Sequence, residues 1–209
     1  MIYTPYMNNA RRDTKARILK AACGLLEREG AGAVSVRRVA RRIRVTPMAI
    51  YNHYPSLEAL LVGVYEVGVN KLARFIWRDL VRAETAEDKL RALVRSYIRF
   101  GTRNPNYYSL LFGARFIQKY FWDSPPRSLV MQKFWVPFTE VIELCQETGS
   151  IDEATNPQEI ATHLWASMHG YVSFFVIGRL QQLWQMSEDE ILNSMEKHLL
   201  SFLKRERQK

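Results

Sequence analysis

The chain of 209 residues has only two cysteines, Cys23 and Cys145, each isolated in an apolar helical pattern. No disulfide framework or Cys-x-x-Cys metal or redox site can organise it, and two buried free thiols in a reducing cytoplasm are expected. Long hydrophobic runs are missing too. The most apolar stretch, Trp165 to Ile177, is interrupted by His169 and is shorter than the roughly 18 to 20 residues of a membrane span. The polar N-terminus lacks a signal-peptide core, so a cytoplasmic protein without membrane association is expected. The sequence has no HExxH, GxSxG or GxGxxG, and its histidines stand apart at 53, 163, 169 and 198. His163 and His169, six residues apart, face opposite sides of one helix. No catalytic residue, metal or cofactor is therefore expected, and an enzyme is the weaker functional class.

Acidic residues are also scarce where basic ones gather. The formal net charge is +9, and residues 1–62 hold eleven Lys and Arg against four Asp and Glu, which accounts for +7 of it. Positive potential concentrated on one short segment suits a polyanion. A membrane surface would also attract it, but no long amphipathic helix sets bulky apolar residues opposite those arginines.

Within that segment, residues 34–57 read VSVRRVARRIRVTPMAIYNHYPSL. Ser35 can cap a helix whose apolar positions Val36, Val39, Ala40 and Ile43 follow one face of a 3.6-residue period. Thr46 then supplies a second cap and Pro47 the preset φ of a first helical position, and Pro55 closes a short second helix. Ala49 and Ile50 can anchor that helix while Thr46, Met48, Tyr51, Asn52 and His53 project. This is a helix-turn-helix pattern; two surface helices with a solvated basic face are the alternative.

The segment Thr14 to Leu61 resembles the N-terminal domain of TetR-family transcriptional regulators. The resemblance rests on Ser35 opening the second helix, on Ile50-Tyr51-Asn52-His53-Tyr54 ending the third, and on Pro55-Ser56 before the fourth. Arg44 stands where the family commonly has Gly, and Leu57 where it commonly has a phosphate-contacting Lys. The resemblance implies that Arg37, Thr46, Met48 and Asn52 read base edges of double-stranded DNA. It implies phosphate contacts for Ser35, Tyr51 and His53.

The remaining pattern predicts an all-α chain of about nine helices. Residues 1–12 read as a flexible basic arm, in which Arg11 and Arg12 are candidates to reach a minor groove. Residues 13–62 read as the DNA-binding domain and 63–209 as an effector-binding and dimerisation domain. Helix one should end at Gly30, and a long helix should run from Ser56 to about Leu80. Further helices are expected at about 86–103, 105–114, 126–148, 157–182 and 187–205, bounded by Asn104-Pro105, Pro125-Pro126, Gly149, Asn156-Pro157 and the capping box Ser187-x-x-Glu190.

Residues 97–138 are dense in aromatic side chains. Ordinary core is the simpler reading of any one ring; the family resemblance implies a small-molecule effector pocket for the group. The pocket candidates are Tyr97, Phe100, Tyr108, Phe112, Phe116, Phe134 and Phe138, with Trp165 and His169. Arg95, Arg99 and Arg103 share one helix face and read as a solvated stripe. Two apolar stripes follow, with Leu164, Met168, Val172 and Phe175 on one helix and Ile191, Met195, Leu199 and Phe202 on the last. The resemblance implies that these pair across a homodimer as a four-helix bundle. Trp165, His169 and Gly170 also resemble a Trp-x-x-x-His-Gly pattern in the C-terminal domain of a subset of these regulators.

The leading expectation is thus a dimeric, ligand-responsive regulator, a repressor released from a palindromic operator by an apolar or aromatic effector. A non-specific architectural nucleic-acid binder would share the basic patch but have no palindrome preference.

Overall fold

The computed structural model describes residues 5–113, 131–151, 153–178, 185 and 187–205, with only the backbone described at 5–12, 131, 188, 191, 199–200 and 202–205. Among the described residues there are nine α-helices and no strand. They are α1 (Pro5–Glu29), α2 (Val36–Ile43), α3 (Pro47–Tyr51), α4 (Leu57–Leu80), α5 (Ala86–Arg103), α6 (Pro105–Phe112), α7 (Val136–Glu147), α8 (Pro157–Val176) and α9 (Glu188–Arg205). A short 3-10 turn (Ala31–Ala33) precedes α2 and a π-helical turn (Met131–Trp135) precedes α7. The fold is all-α, as the periodicity predicts.

Helix starts follow local chemistry. Thr85 Oγ1 accepts the Asp88 N–H at 3.1 Å, and Asn156 Oδ1 accepts that of Gln158 at 2.9 Å. At α9 the expected capping box forms: Ser187 Oγ accepts from the Glu190 N–H at 3.4 Å, and the Ser187 N–H donates to Glu190 Oε2 at 2.9 Å.

Three boundaries differ from expectation. Helix α1 begins at Pro5, so residues 5–12, expected as a loose arm, continue the helix. Proline needs no N–H at a first helical position, and Ala10, Arg11 and Arg12 are strong helix formers. Helix α8 stops at Val176, not near 182, and Gly178 just beyond it takes φ +73, a left-handed conformation that ends a helix. Ahead of α7, Pro137 has no N–H to offer the Lys133 carbonyl, which is the physical reason for a wider π turn over Met131–Trp135.

The described helices fall into two compact units, residues 1–68 with 106–126 and residues 69–105 with 127–209, and α4 contributes to both. In the first, Ile18, Ala22, Leu26, Val39, Ile50 and Leu60 are buried. Helix α6 belongs to this unit, although its position in the sequence assigned it to the larger domain. Gly68 accounts for the fit: a Cβ there would lie 3.0 Å from Tyr107 and 3.2 Å from Leu111, so only the bare backbone of α4 lets α6 approach this closely. Asn106 Nδ2 also donates to the Glu27 carbonyl of α1 at 3.0 Å.

In the second unit Leu72, Ile76, Leu93, Tyr97, Phe100, Phe138, Ile142 and Cys145 are buried. Both cysteines are buried thiols, and burial pushes the Cys145 pKa up to about 11. No helix among the described residues is long and apolar enough to cross a membrane.

Candidate nucleic-acid interface and aromatic core

The α2–α3 pair is built by its caps. Ser35 is extended (φ −143, ψ 151), and its Oγ accepts the Arg38 N–H at 3.3 Å. Thr46 is extended as well (φ −76, ψ 153) and accepts the Ala49 N–H on Oγ1 at 3.3 Å, with Pro47 next. Between them Arg44 adopts the left-handed conformation (φ 59, ψ 50) that ends α2. Without the glycine common in the family, this turn carries about 1 kcal/mol of local strain. Arg17 of α1 donates to the Ile43 carbonyl at 3.4 Å and helps cap the same end.

Helix α3 has one buried residue, Ile50. Behind it Tyr54 is buried, with the Lys15 ammonium 5.5 Å from its ring centre. On the open side Met48 is 67% exposed and Tyr51 46%; Thr46 and Asn52 are exposed and His53 is half-buried. Arg37, Arg41, Arg42 and Arg44 are exposed around them. Arg38 is turned away, since both its bonds to Glu29, at 2.7 and 2.8 Å, go to the carboxylate, which is held below its ordinary pKa by that pairing. The structure therefore gathers Ser35, Arg37, Thr46, Met48, Tyr51, Asn52 and His53 on one short segment. The capping hydroxyls accept with their lone pairs, so each O–H can still act as a donor.

The second unit carries a continuous ring network. Tyr97 lies 5.6 Å from Phe134 and 6.3 Å from Phe138, which are 5.0 Å apart. Trp135 stacks on Phe138 at 6.3 Å and meets Trp165 at 6.1 Å, and Trp165 stacks on His169 at 5.1 Å. A hydrogen bond of 3.3 Å between Tyr97 Oη and His169 Nδ1 closes the circuit, and burial lowers the His169 pKa, which keeps the imidazole neutral at pH 7. Trp135 is a member that the sequence-based pocket candidates missed; its place beside Phe134 in the aromatic run was the available signal. Lys133 Nζ, one residue before Phe134, donates to Asn70 Oδ1 of α4 at 2.5 Å.

Phe100 packs edge-on against Phe75 at 5.7 Å. Tyr108 and Phe112 pair at 5.0 Å in the first unit, and Phe116 lies outside the described residues. A surface groove of about 280 Å³ in the second unit is lined instead by Trp77, Leu80, Val81, Lys89, Pro137 and Val141, among others.

Of the expected dimer stripe, Leu164, Met168, Val172 and Met195 are buried within the single chain. Phe175 is half-buried, and the side chains of Ile191, Leu199 and Phe202 lie outside those described. The arginine stripe also resolves differently: Arg95 bonds the buried Glu196 of α9, joined by Arg91 at 3.4 Å, so two arginines tie α5 to α9.

A short, capped helix presented outward from a basic three-helix unit defines a helix-turn-helix DNA-binding protein. Comparisons narrow the class. Residues 18–64 match the bacterial regulatory proteins of the tetR family, and residues 90–199 match the tetracyclin repressor-like C-terminal domain. The chain belongs to the tetR family of regulators, which join a DNA-binding domain to a ligand-binding one. It is 28% identical over 95 residues to an uncharacterized HTH-type transcriptional regulator, YobS of Bacillus subtilis, covering 46% of this chain but only 49%, about half, of that relative. It is 24% identical over 166 residues to the nucleoid occlusion factor SlmA of Vibrio vulnificus, covering 78% of this chain and 83% of SlmA. Among solved structures, a protein of unknown function from Rhodococcus sp. RHA1 superposes with a TM-score of 0.75 at 22% identity over 91% of this chain and 95% of the other. FadR of Bacillus subtilis, in complex with stearoyl-CoA, gives 0.66 at 14% identity over 90% and 96%.

Proposed function

We propose that the protein is a homodimeric repressor in the cytoplasm that binds a palindromic operator and is released by a small apolar or aromatic effector. The observation that carries this reading is α3, whose one buried residue is Ile50 and which turns Met48, Tyr51 and Asn52 outward among exposed arginines. Arg37, Thr46, Met48 and Asn52 read base edges. Ser35, Tyr51 and His53 hold phosphates, and Arg41, Arg42 and Arg44 add attraction without sequence preference.

Dimerisation uses the side of α8 that its own chain leaves open. His163, Ala166, Gly170, Phe174 and Ile177 follow one another at helical spacing opposite Leu164, Met168 and Val172. Phe174 and Ile177 are 52% and 66% exposed, and nothing lies within 4 Å of a Cβ built on Gly170. A two-fold contact through this stripe sets two copies of α3 against two half-sites.

The effector site is the ring network from Tyr97 to His169, with Phe134, Phe138 and Trp165. FadR, in complex with stearoyl-CoA, supports an apolar ligand for this fold. The Tyr97–His169 pair is the polar handle, and because His169 is neutral it suits an uncharged hydroxyl or carbonyl. Release requires that the ligand favour one of two arrangements of the dimer, and operator DNA must then weaken ligand binding by the same factor.

Selection from random duplex DNA tests the first half: a two-fold symmetric consensus is expected. Enrichment without symmetry would favour a DNA-coating role, a reading that the similarity to SlmA makes worth separating. A screen of aromatic and acyl compounds for release of the selected duplex tests the second half.

A further inference from the structure

Helix α3 presents a side chain whose chemistry limits what it can read. Met48 is 67% exposed, the most open large apolar side chain among the described residues of the DNA-binding unit. It lies away from Ile50, one turn from Asn52, whose N–H donates to the Met48 carbonyl at 3.1 Å. Met48 and Asn52 therefore stand in the same row of the helix and face the same way. A thioether is no strong donor or acceptor, so Met48 cannot read a base by hydrogen bonding. The one apolar group on the major-groove edge of any base pair is the C5-methyl of thymine.

Two further observations agree. No carboxylate stands between Glu29 and Glu58, so none on α2, the turn or α3 can accept from cytosine N4, and Glu29 itself is committed to Arg38. Asn52, beside Met48, carries the amide that pairs with adenine N6 and N7.

We propose that Met48 is a specificity-determining residue that packs on a thymine methyl in each half-site, next to the base read by Asn52. The proposal rests on the reading of α3 as the base-reading helix. It assigns the half-site a T·A pair whose methyl group, not its hydrogen-bonding edge, is recognised.

The test uses the full-length chain and the duplex it selects from random DNA, with each thymine replaced in turn by deoxyuridine, which removes the methyl and keeps every Watson–Crick partner. At one symmetric pair of positions, the wild-type protein should lose about fourfold affinity when one half-site is substituted and about fifteenfold when both are, the value of burying one methyl group. Met48→Ala should bind the natural duplex more weakly and show no further loss with deoxyuridine at that position. Because Met48 is exposed, the variant is expected to fold normally, and an unchanged melting temperature checks this. Equal deoxyuridine losses in wild type and Met48→Ala, or none in the wild type, would overturn the assignment while leaving DNA recognition by α3 intact. If no sequence is selected at all, the reading of α3 fails and the proposal falls with it.

Discussion

The two units use arginine in opposite ways. In the first, Arg37, Arg41, Arg42 and Arg44 stand exposed around α3, and Arg38 is tied to the Glu29 carboxylate. In the second, Arg78 is bound to Asp79, while Arg91 and Arg95 converge on the buried Glu196. An arginine already holding a carboxylate has little left to offer a phosphate. Positive charge therefore becomes a DNA-binding surface only where the chain withholds its own anions, and it becomes a tie between helices where it supplies them. The same division separates the apolar residues: Met48 is left open on α3, whereas Tyr97 and Phe138 are buried.

The largest way to break this comparison is through the rings. Phe138→Ala should cost about 3–5 kcal/mol of stability in urea unfolding, while Met48→Ala should stay within about 0.5 kcal/mol. A Phe138→Ala loss below about 1 kcal/mol would mean that burial of this ring contributes little to the fold. Next come the ion pairs. Glu196→Gln should destabilise by about 1–2 kcal/mol without altering DNA affinity, whereas Arg41→Gln should leave the melting temperature unchanged and weaken binding to every duplex.

Smaller effects probe the turn. Thr46→Ala removes the cap of α3 and should cost about 1 kcal/mol. Arg44→Gly relieves the left-handed arginine and should recover up to about 1 kcal/mol in the same unfolding assay. The smallest effect is that of His169. Burial lowers its pKa below the ordinary 6.5, so the unfolded chain takes up the proton first. Its contribution is fully present above pH 6.5 and is lost as pH falls from there through the folded-state pKa. The melting temperature should decline across that window, and His169→Gln should flatten the decline.

The legible parts of the fold are those set by near neighbours. Ser35, Thr46, Asn156 and Ser187 cap the helices that the sequence assigns to them, because a capping oxygen and its N–H lie two or three residues apart. The sequence also separates the buried Ile50 from the outward residues of α3, since that face is fixed by helical period alone. Long-range pairings were not legible. Periodicity identifies Leu164, Met168 and Val172 as an apolar stripe but cannot tell whether the chain itself or a second copy covers it. Arg95 and Glu196 are 101 positions apart, and α6 joins the first unit because Gly68 leaves room for Tyr107 and Leu111. The π turn before α7 follows from Pro137, a local signal that helical periodicity does not register.

The central claim is that open arginines attract DNA while α3 reads it, and it is tested most directly by titrating the selected duplex and a scrambled one at increasing salt. The wild-type protein should bind both with the same steep salt slope and the selected duplex far more tightly. Asn52→Ala should keep the slope and lose about 1–3 kcal/mol of the difference for each half-site. An Asn52→Ala protein that keeps the full preference for the selected duplex would contradict the account.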